Sequence, residues 1–126
     1  MLTFGYGFLC DVAHLASDGK ISVLGIFDNI NARQFPVVHN RMVFFVHWRG
    51  DEGSYTVNLR FIGPDGKDVI QPLKLGVKIP RGGNKANMMA ELNQVALKMP
   101  GNYLFELSVE GQEDRAVVSL PVNQIQ

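Results

Sequence analysis

Strict alternation of apolar and polar residues is the feature that most constrains this chain. The pattern runs through four stretches, at residues 55–61, 73–79, 103–109 and 116–122. Successive side chains of a β-strand point to opposite faces, so each stretch predicts a strand with one buried and one solvated face. Such strands are typical of antiparallel sheets. The alternation therefore predicts an all-β protein.

Turn-forming sequences divide the chain at nearly even intervals. Gly, Pro, Asn and Asp cluster between the apolar stretches, as in Pro64-Asp65-Gly66. These clusters delimit about eight segments, at residues 4–16, 20–30, 37–49, 54–63, 68–79, 86–97, 102–110 and 114–122. Their spacing predicts an antiparallel β-sandwich of seven or eight strands, immunoglobulin-like or of similar Greek-key topology. A chain of 126 residues has room for one core, so residues 1–126 are predicted to form a single domain.

Two segments depart from simple alternation. Residues 43–48 are apolar on both faces, which predicts a central strand or one that is covered on its outer side. In residues 87–97 the apolar positions change parity near Asn93 and Gln94, which predicts a β-bulge. A helix over residues 86–98 is the alternative, because Met-Met-Ala-Glu-Leu has good helix propensity.

Several turn and core sequences occur together in a characteristic order. They are Leu9-Cys10-Asp11, the stretch 18–28, Phe35-Pro36, Pro64-Asp65-Gly66 and the stretch 101–105, followed by Gly111. In this order they resemble a family of small, uncharacterised, mostly bacterial all-β proteins. The resemblance spans nearly the whole chain and implies the fold, but it brings no activity, cofactor or catalytic residue. The stretch from Gly101 to Leu107 is also similar to the late strand of immunoglobulin-like domains, in which a tyrosine pins a corner.

The charge balance argues against large charged partners. Lys and Arg total 12, as do Asp and Glu, so the net charge is zero and the chain has no general attraction for nucleic acid or anionic membrane. The longest apolar runs fall short of a membrane span, and the N-terminus lacks the basic start of a signal peptide. The single cysteine, Cys10, cannot form a disulfide within the chain. These features predict a cytoplasmic protein.

Catalytic and metal-binding patterns are sparse. The sequence has no Gly-x-Ser-x-Gly elbow, His-Glu-x-x-His motif or P-loop. His39 and His47 would lie about 26 Å apart along one strand, too far to share a metal ion. The surroundings of Cys10 in the sequence fit the role of a small buried residue better than that of a nucleophile. We therefore expect no catalytic, cofactor-binding or metal-binding residue, although a small hydrolase with a dispersed site stays open.

A protein partner, or a second copy of the chain, is the favoured ligand. Phe4, Tyr6 and Phe8 alternate with Gly5 and Gly7, whose lack of side chains lets another backbone come close. This predicts an edge strand with an aromatic inner face, and the alternative is an edge at which the chain associates with itself. The stretch that is apolar on both faces offers a second surface that a partner would cover. The predicted partner surface comprises Phe4, Tyr6, Phe45 and Trp48. We thus expect a non-catalytic binding or assembly module.

Acidic turns suggest an alternative function. If each segment crosses the domain once, alternate connections lie at the same end. That end would carry Asp18, Asp51, Glu52, Glu113 and Asp114. Acidic loops at one pole can hold calcium in some β-sandwich domains, or a small ligand such as a carbohydrate. A small-ligand binding module that uses this loop site is therefore the second hypothesis.

Overall fold

The computed structural model describes residues 1–126 and contains nine β-strands and no helix. The strands are β1 (Leu2–Leu15), β2 (Ile21–Phe27), β3 (Ile30–Ala32), β4 (Val37–Gly50), β5 (Gly53–Ile62), β6 (Leu73–Ile79), β7 (Lys85–Leu97), β8 (Gly101–Val109) and β9 (Arg115–Gln124). The all-β prediction is confirmed, with one strand more than the upper expected number. The structure has no helix with the length and apolar character needed to cross a bilayer.

The strands form two sheets. A four-stranded sheet has the order β2-β1-β4-β7, and a five-stranded sheet has the order β3-β9-β8-β5-β6. Neighbouring strands are antiparallel, except that the short strand β3 runs parallel to the end of β9. The strand over 43–48 is central, as its two apolar faces predict, because β4 lies between β1 and β7.

One hydrophobic core joins the two sheets. The alternating residues of β1, β4 and β7 face those of β5, β6, β8 and β9 in a single cluster of 22 buried side chains. The ring of Phe105 in β8 stacks on Phe44 of the opposite sheet, with 4.5 Å between the ring centroids, and on Phe61 of its own sheet, with 4.1 Å between them. Burial of these alternating apolar side chains is the main stabilising contribution to the fold.

Residues 86–98 form a strand and not a helix. In β7, Met88, Ala90 and Leu92 enter the core, as do Val95 and Leu97, so the parity does change. The predicted one-residue bulge is wrong, however, because β7 keeps the same register with β4 on both sides of the change. Gln94 instead adopts a positive φ of 54°, and Met42 and Val37 of β4 change parity at the same level. The inward-facing positions of β4 and β7 therefore change parity at the same level, and the two strands stay in register.

The segment 20–30 does not cross the domain. Phe27 at the end of β2 pairs with Leu9, in the middle of β1, and the chain then turns back at Asp28-Asn29 into β3. The predicted single strand is therefore two strands. This reversal halfway along β1 changes which connections share an end of the molecule.

Tyr103 pins the connection between β7 and β8. Its hydroxyl donates a hydrogen bond of 2.7 Å to the carbonyl oxygen of Met99, four residues earlier, while its ring is buried in the core. This is the corner contact that the sequence around Gly101 suggested. Burial raises the pKa of the Tyr103 hydroxyl above its usual value of 10.0, against the opposing effect of the bond to Met99.

Candidate functional site

A β-bulge at Gly5 divides the first strand. The pairing of β1 with β4 shifts by one residue between Phe4 and Tyr6, so these two side chains point to opposite faces of the sheet. A Cβ atom on Gly5 would lie 2.8 Å from the carbonyl oxygen of His47, which explains why glycine occupies the bulge. The close backbone approach is as predicted for Gly5. The prediction that Phe4, Tyr6 and Phe8 share one face is wrong, because the bulge places the Phe4 side chain on the face opposite to Tyr6.

Four rings cover the outer side of the four-stranded sheet. Tyr6 stacks on His47 at 4.9 Å and Phe8 stacks on Phe45 at 4.9 Å. The His47 ring is fixed by a 2.8 Å hydrogen bond between its Nδ1 and Oδ1 of Asn87. Phe45 and His47 are buried, yet neither belongs to the central core. A second packed layer therefore lies on the outside of this sheet.

Exposed aliphatic side chains extend this layer. Leu24 and Ile26 of β2 are 66% and 65% exposed, beside Val12 and the buried Cys10 of β1. Tyr6 is 51% exposed. We call the surface formed by Tyr6, Phe8, Leu24, Ile26 and Phe45 the outer face. It is a continuous apolar area across three strands, which soluble proteins seldom leave open without a binding role.

The structure divides the predicted partner surface. Tyr6 and Phe45 lie on the outer face, whereas Phe4 and Trp48 lie on the opposite side of the sheet. There the two rings meet edge to face at 5.9 Å, and Trp48 is buried in the core. Phe8, Leu24 and Ile26 were missed as surface residues. Alternation within 20–27 contained the signal for Leu24 and Ile26, but only the pairing of β2 with β1 shows that their face joins the aromatic one.

A groove opens between the free edges of the two sheets. β2 pairs with β1 only from Leu9 onward, and β3 pairs with β9 only from Val122 onward. The first half of β1 and most of β9 therefore have a strand on one side only. Between them lies a cavity of about 390 Å³, which we call the edge groove. Phe4, Trp48, Leu107 and Val117 are among its mostly apolar lining residues.

Gln112 lies at one end of the edge groove. Its carboxamide accepts a 2.8 Å hydrogen bond from the backbone N–H of Leu2 and donates a 2.7 Å bond to the carbonyl oxygen of the same residue. At the other end, Gly7 approaches the side chain of Val118. The buried indole Nε1 of Trp48 has no hydrogen-bond acceptor, and it is alone in this among buried side-chain polar atoms.

The predicted acidic loop site does not assemble as expected. Asp51, Glu52, Glu113 and Asp114 lie at the end of the molecule where Leu2 pairs with Gly50 and contacts Gln112. Asp18 lies at the opposite end, in the β1–β2 turn, because β2 returns only halfway along β1. The carboxylate of Asp51 contacts the amino group of Met1 at 3.0 Å. No three His, Cys, Asp or Glu side chains converge as metal ligands would.

Cys10 is a structural thiol. It is fully buried between β2 and β4, with its Sγ 3.8 Å from the carbonyl oxygen of Val43. Burial, and to a smaller extent the charge of Asp11, raises its pKa above the usual 9.0. An activated nucleophile needs the opposite shift, since the thiolate is the reactive form.

Comparison with known proteins assigns the chain to a family. The model of a family of unknown function, DUF6941, matches residues 5–123. The chain belongs to this family. The match confirms that the chain resembles a family of unknown function over most of its length, and membership carries no activity with it. A search of curated proteins finds no match.

Solved structures show a distant likeness, and one of them serves as an example. It is described as the structure of Bifidobacterium dentium beta-glucuronidase complexed with coumarin-3-O-glucuronide. The sequences are 14% identical and the TM-score is 0.49. The alignment covers 96% of this chain but only 17% of that one. The likeness supports no inference about function.

Proposed function

We propose that this member of the DUF6941 family is a non-catalytic assembly module that binds a second copy of itself through the outer face. The observation that carries the proposal is the exposure of Leu24 and Ile26 on the same face of the sheet as the stacked rings of Tyr6 and Phe8. A second copy presents the same apolar face, and two sheet faces pack well against each other. A symmetric dimer needs one such self-complementary patch on each subunit.

The charges around the outer face are compatible with self-association. Arg41 and Glu91 form an ion pair of 3.1 Å on its flank, so their charges are already balanced. The whole chain has no net charge, so two copies do not repel each other. Apolar contact, which does not depend on direction, then supplies the driving force for association.

Sedimentation velocity and light scattering test the proposal. We expect the wild-type protein to form dimers at micromolar concentration, and Leu24→Lys and Ile26→Lys to be monomers. Both side chains are exposed, so lysine at these positions leaves the folded chain unstrained. Ile125→Lys is the matched control, because Ile125 is exposed at the far end of β9 and outside the outer face. A wild-type protein that stays monomeric at high concentration would refute self-association.

The proposal includes an immunoglobulin-like sandwich as the scaffold. Two observations support it. The ladders β1-β4-β7 and β9-β8-β5-β6 follow the strand order of an A-B-E sheet and a G-F-C sheet with one added strand. The Tyr103 corner stands at the start of β8, the strand that corresponds to F. A cytoplasmic location is proposed with it, supported by the single buried cysteine.

A further inference from the structure

We propose that the edge groove binds an extended peptide, which adds as a strand between β1 and β9. The proposal does not depend on self-association through the outer face, which lies on the other side of the four-stranded sheet. Its starting point is the contact between Gln112 and Leu2. A carboxamide that donates to and accepts from one residue takes the place of one hydrogen-bonded residue of a neighbouring antiparallel strand, whose N–H and C=O both bond to the same partner residue.

The hydrogen-bonding pattern that starts with Gln112 and Leu2 continues along β1, where no strand pairs with it. Since both backbone groups of Leu2 face the groove, alternation places the N–H and C=O of Phe4 there as well, just before the bulge. Phe4 lines the groove and is only half buried. An added strand would bond to Phe4 as Gln112 bonds to Leu2.

The opposite wall offers a second set of backbone groups. Pro121 of β9 has no N–H to donate to its partner Asn102 in β8, so its peptide groups face away from β8. Alternation then places the N–H and C=O of Val117 and Ser119 on the free edge of β9. Val117 lines the groove. A strand seated there can extend either sheet.

The floor and rim of the groove define the chemistry of the peptide. The cavity of about 390 Å³ accommodates a few apolar side chains over Trp48 and Leu107. At the rim, Arg115 is neutralised by Glu106 at 2.8 Å, whereas Asp114 has no ion-pair partner. This charge favours a Lys or Arg next to the apolar residues of the peptide.

A phage-displayed library of random dodecapeptides provides the probe. We expect enrichment of alternating apolar sequences that carry a basic residue. Titration of an enriched synthetic peptide into ¹⁵N-labelled protein is then expected to shift the amides of Phe4 and Val117. It should also shift the single indole N–H resonance, since Trp48 is the only tryptophan. The amides of Leu24 and Ile26, in β2 on the outer face, should stay unchanged.

Two controls separate strand addition from other binding. Val117→Pro removes one edge N–H at an exposed position where proline suits an edge strand, and is expected to lower affinity at least tenfold. The same peptide, N-methylated at alternate residues, should bind the wild-type protein with a similarly reduced affinity. Because the wild-type protein is folded, misfolding is then excluded as the cause. Asp114→Asn should weaken binding a few-fold, and added salt should do the same.

The proposal is overturned if the library yields no peptide whose binding is lost on N-methylation. It is also overturned if the enriched peptides shift the Leu24 and Ile26 amides while Phe4 and Val117 stay still. In that second case the outer face, and not the edge groove, is the peptide site. Failure of the dimer experiment leaves these outcomes unaffected, because they are read from different residues.

Discussion

At the scale of single residues, Cys10 gives a direct test of the packing under β2. A fully buried thiol with a raised pKa exposes little thiolate to a reagent. We expect Ellman's reagent to react with native Cys10 at least a hundredfold more slowly than with the denatured chain. The reaction rate measured at pH 8, with and without denaturant, checks this. Equal rates would mean that β2 does not cover the thiol.

The hydrogen bond of Tyr103 makes a measurable contribution to stability. Tyr103→Phe keeps the ring but removes the 2.7 Å bond to the Met99 carbonyl oxygen. We expect the free energy of unfolding to fall by about 1 to 2 kcal/mol in denaturant titrations. Tyr6→Phe is the control, because the Tyr6 ring is exposed, and its stability should match that of the wild type. An equal loss in both variants would contradict the corner assignment.

The same residue makes stability depend on alkaline pH. Because the pKa of Tyr103 is raised by folding, its contribution is complete below the unfolded value of about 10. It is lost as the pH rises from there through the folded value, since the unfolded chain releases its proton first. We expect the unfolding free energy of the wild type to decrease above pH 10 more steeply than that of Tyr103→Phe. Parallel curves would exclude this linkage.

At the scale of elements, the bulge in β1 is the most sensitive position. A methyl group on Gly5 would clash with the His47 carbonyl oxygen, a backbone atom that cannot move aside cheaply. We expect Gly5→Ala to destabilise the protein by about 1 to 3 kcal/mol in thermal and chemical denaturation. Gly76→Ala in β6 meets no atom within 4 Å and should be neutral or slightly stabilising. A neutral Gly5→Ala would show that the bulge relaxes freely.

Alternation and turn sequences together identified most strands, because buried side chains impose a period of two wherever a strand covers the core and turns separate the strands. The strands β4, β5, β7, β8 and β9 lie within a few residues of their predicted bounds. What alternation does not record is how far a strand is paired. The split of 20–30 and the displacement of Asp18 both follow from β2 reaching only Leu9, which depends on contacts between distant residues. The bulge at Gly5 escaped for the same reason.

The candidate surfaces were predicted only in part. The structure places two of the named residues, Tyr6 and Phe45, together on the outside of the sheet, where their rings lie 6.5 Å apart. Phe4 was grouped with Tyr6 because parity was counted through Gly5 without a bulge. Trp48 was included because it belongs to the stretch that is apolar on both faces. The edge groove had no signal in the sequence, since it arises where two strands stay unpaired and Gln112 happens to bridge them.

At the scale of the whole molecule, the two sheets are predicted to unfold as one unit. Phe105 contacts Phe44 across the core and Phe61 within its own sheet. Phe105→Leu should lower the unfolding free energy by about 1 to 3 kcal/mol. The midpoints from Trp48 fluorescence, which reports the four-stranded sheet, and from far-ultraviolet circular dichroism should move together. Separate midpoints would show that one sheet survives the other.

The bulge at Gly5 has a consequence for how the two surfaces communicate. Phe4 and Tyr6 are two positions apart on one backbone, yet one side chain lines the edge groove and the other lies on the outer face. A ligand on either side restrains the same pair of peptide units, and thermodynamic linkage makes any such influence reciprocal. This part of β1 then couples the edge groove to the outer face, although the two surfaces do not meet. A ligand bound at one surface would change the affinity of the other surface for its own partner.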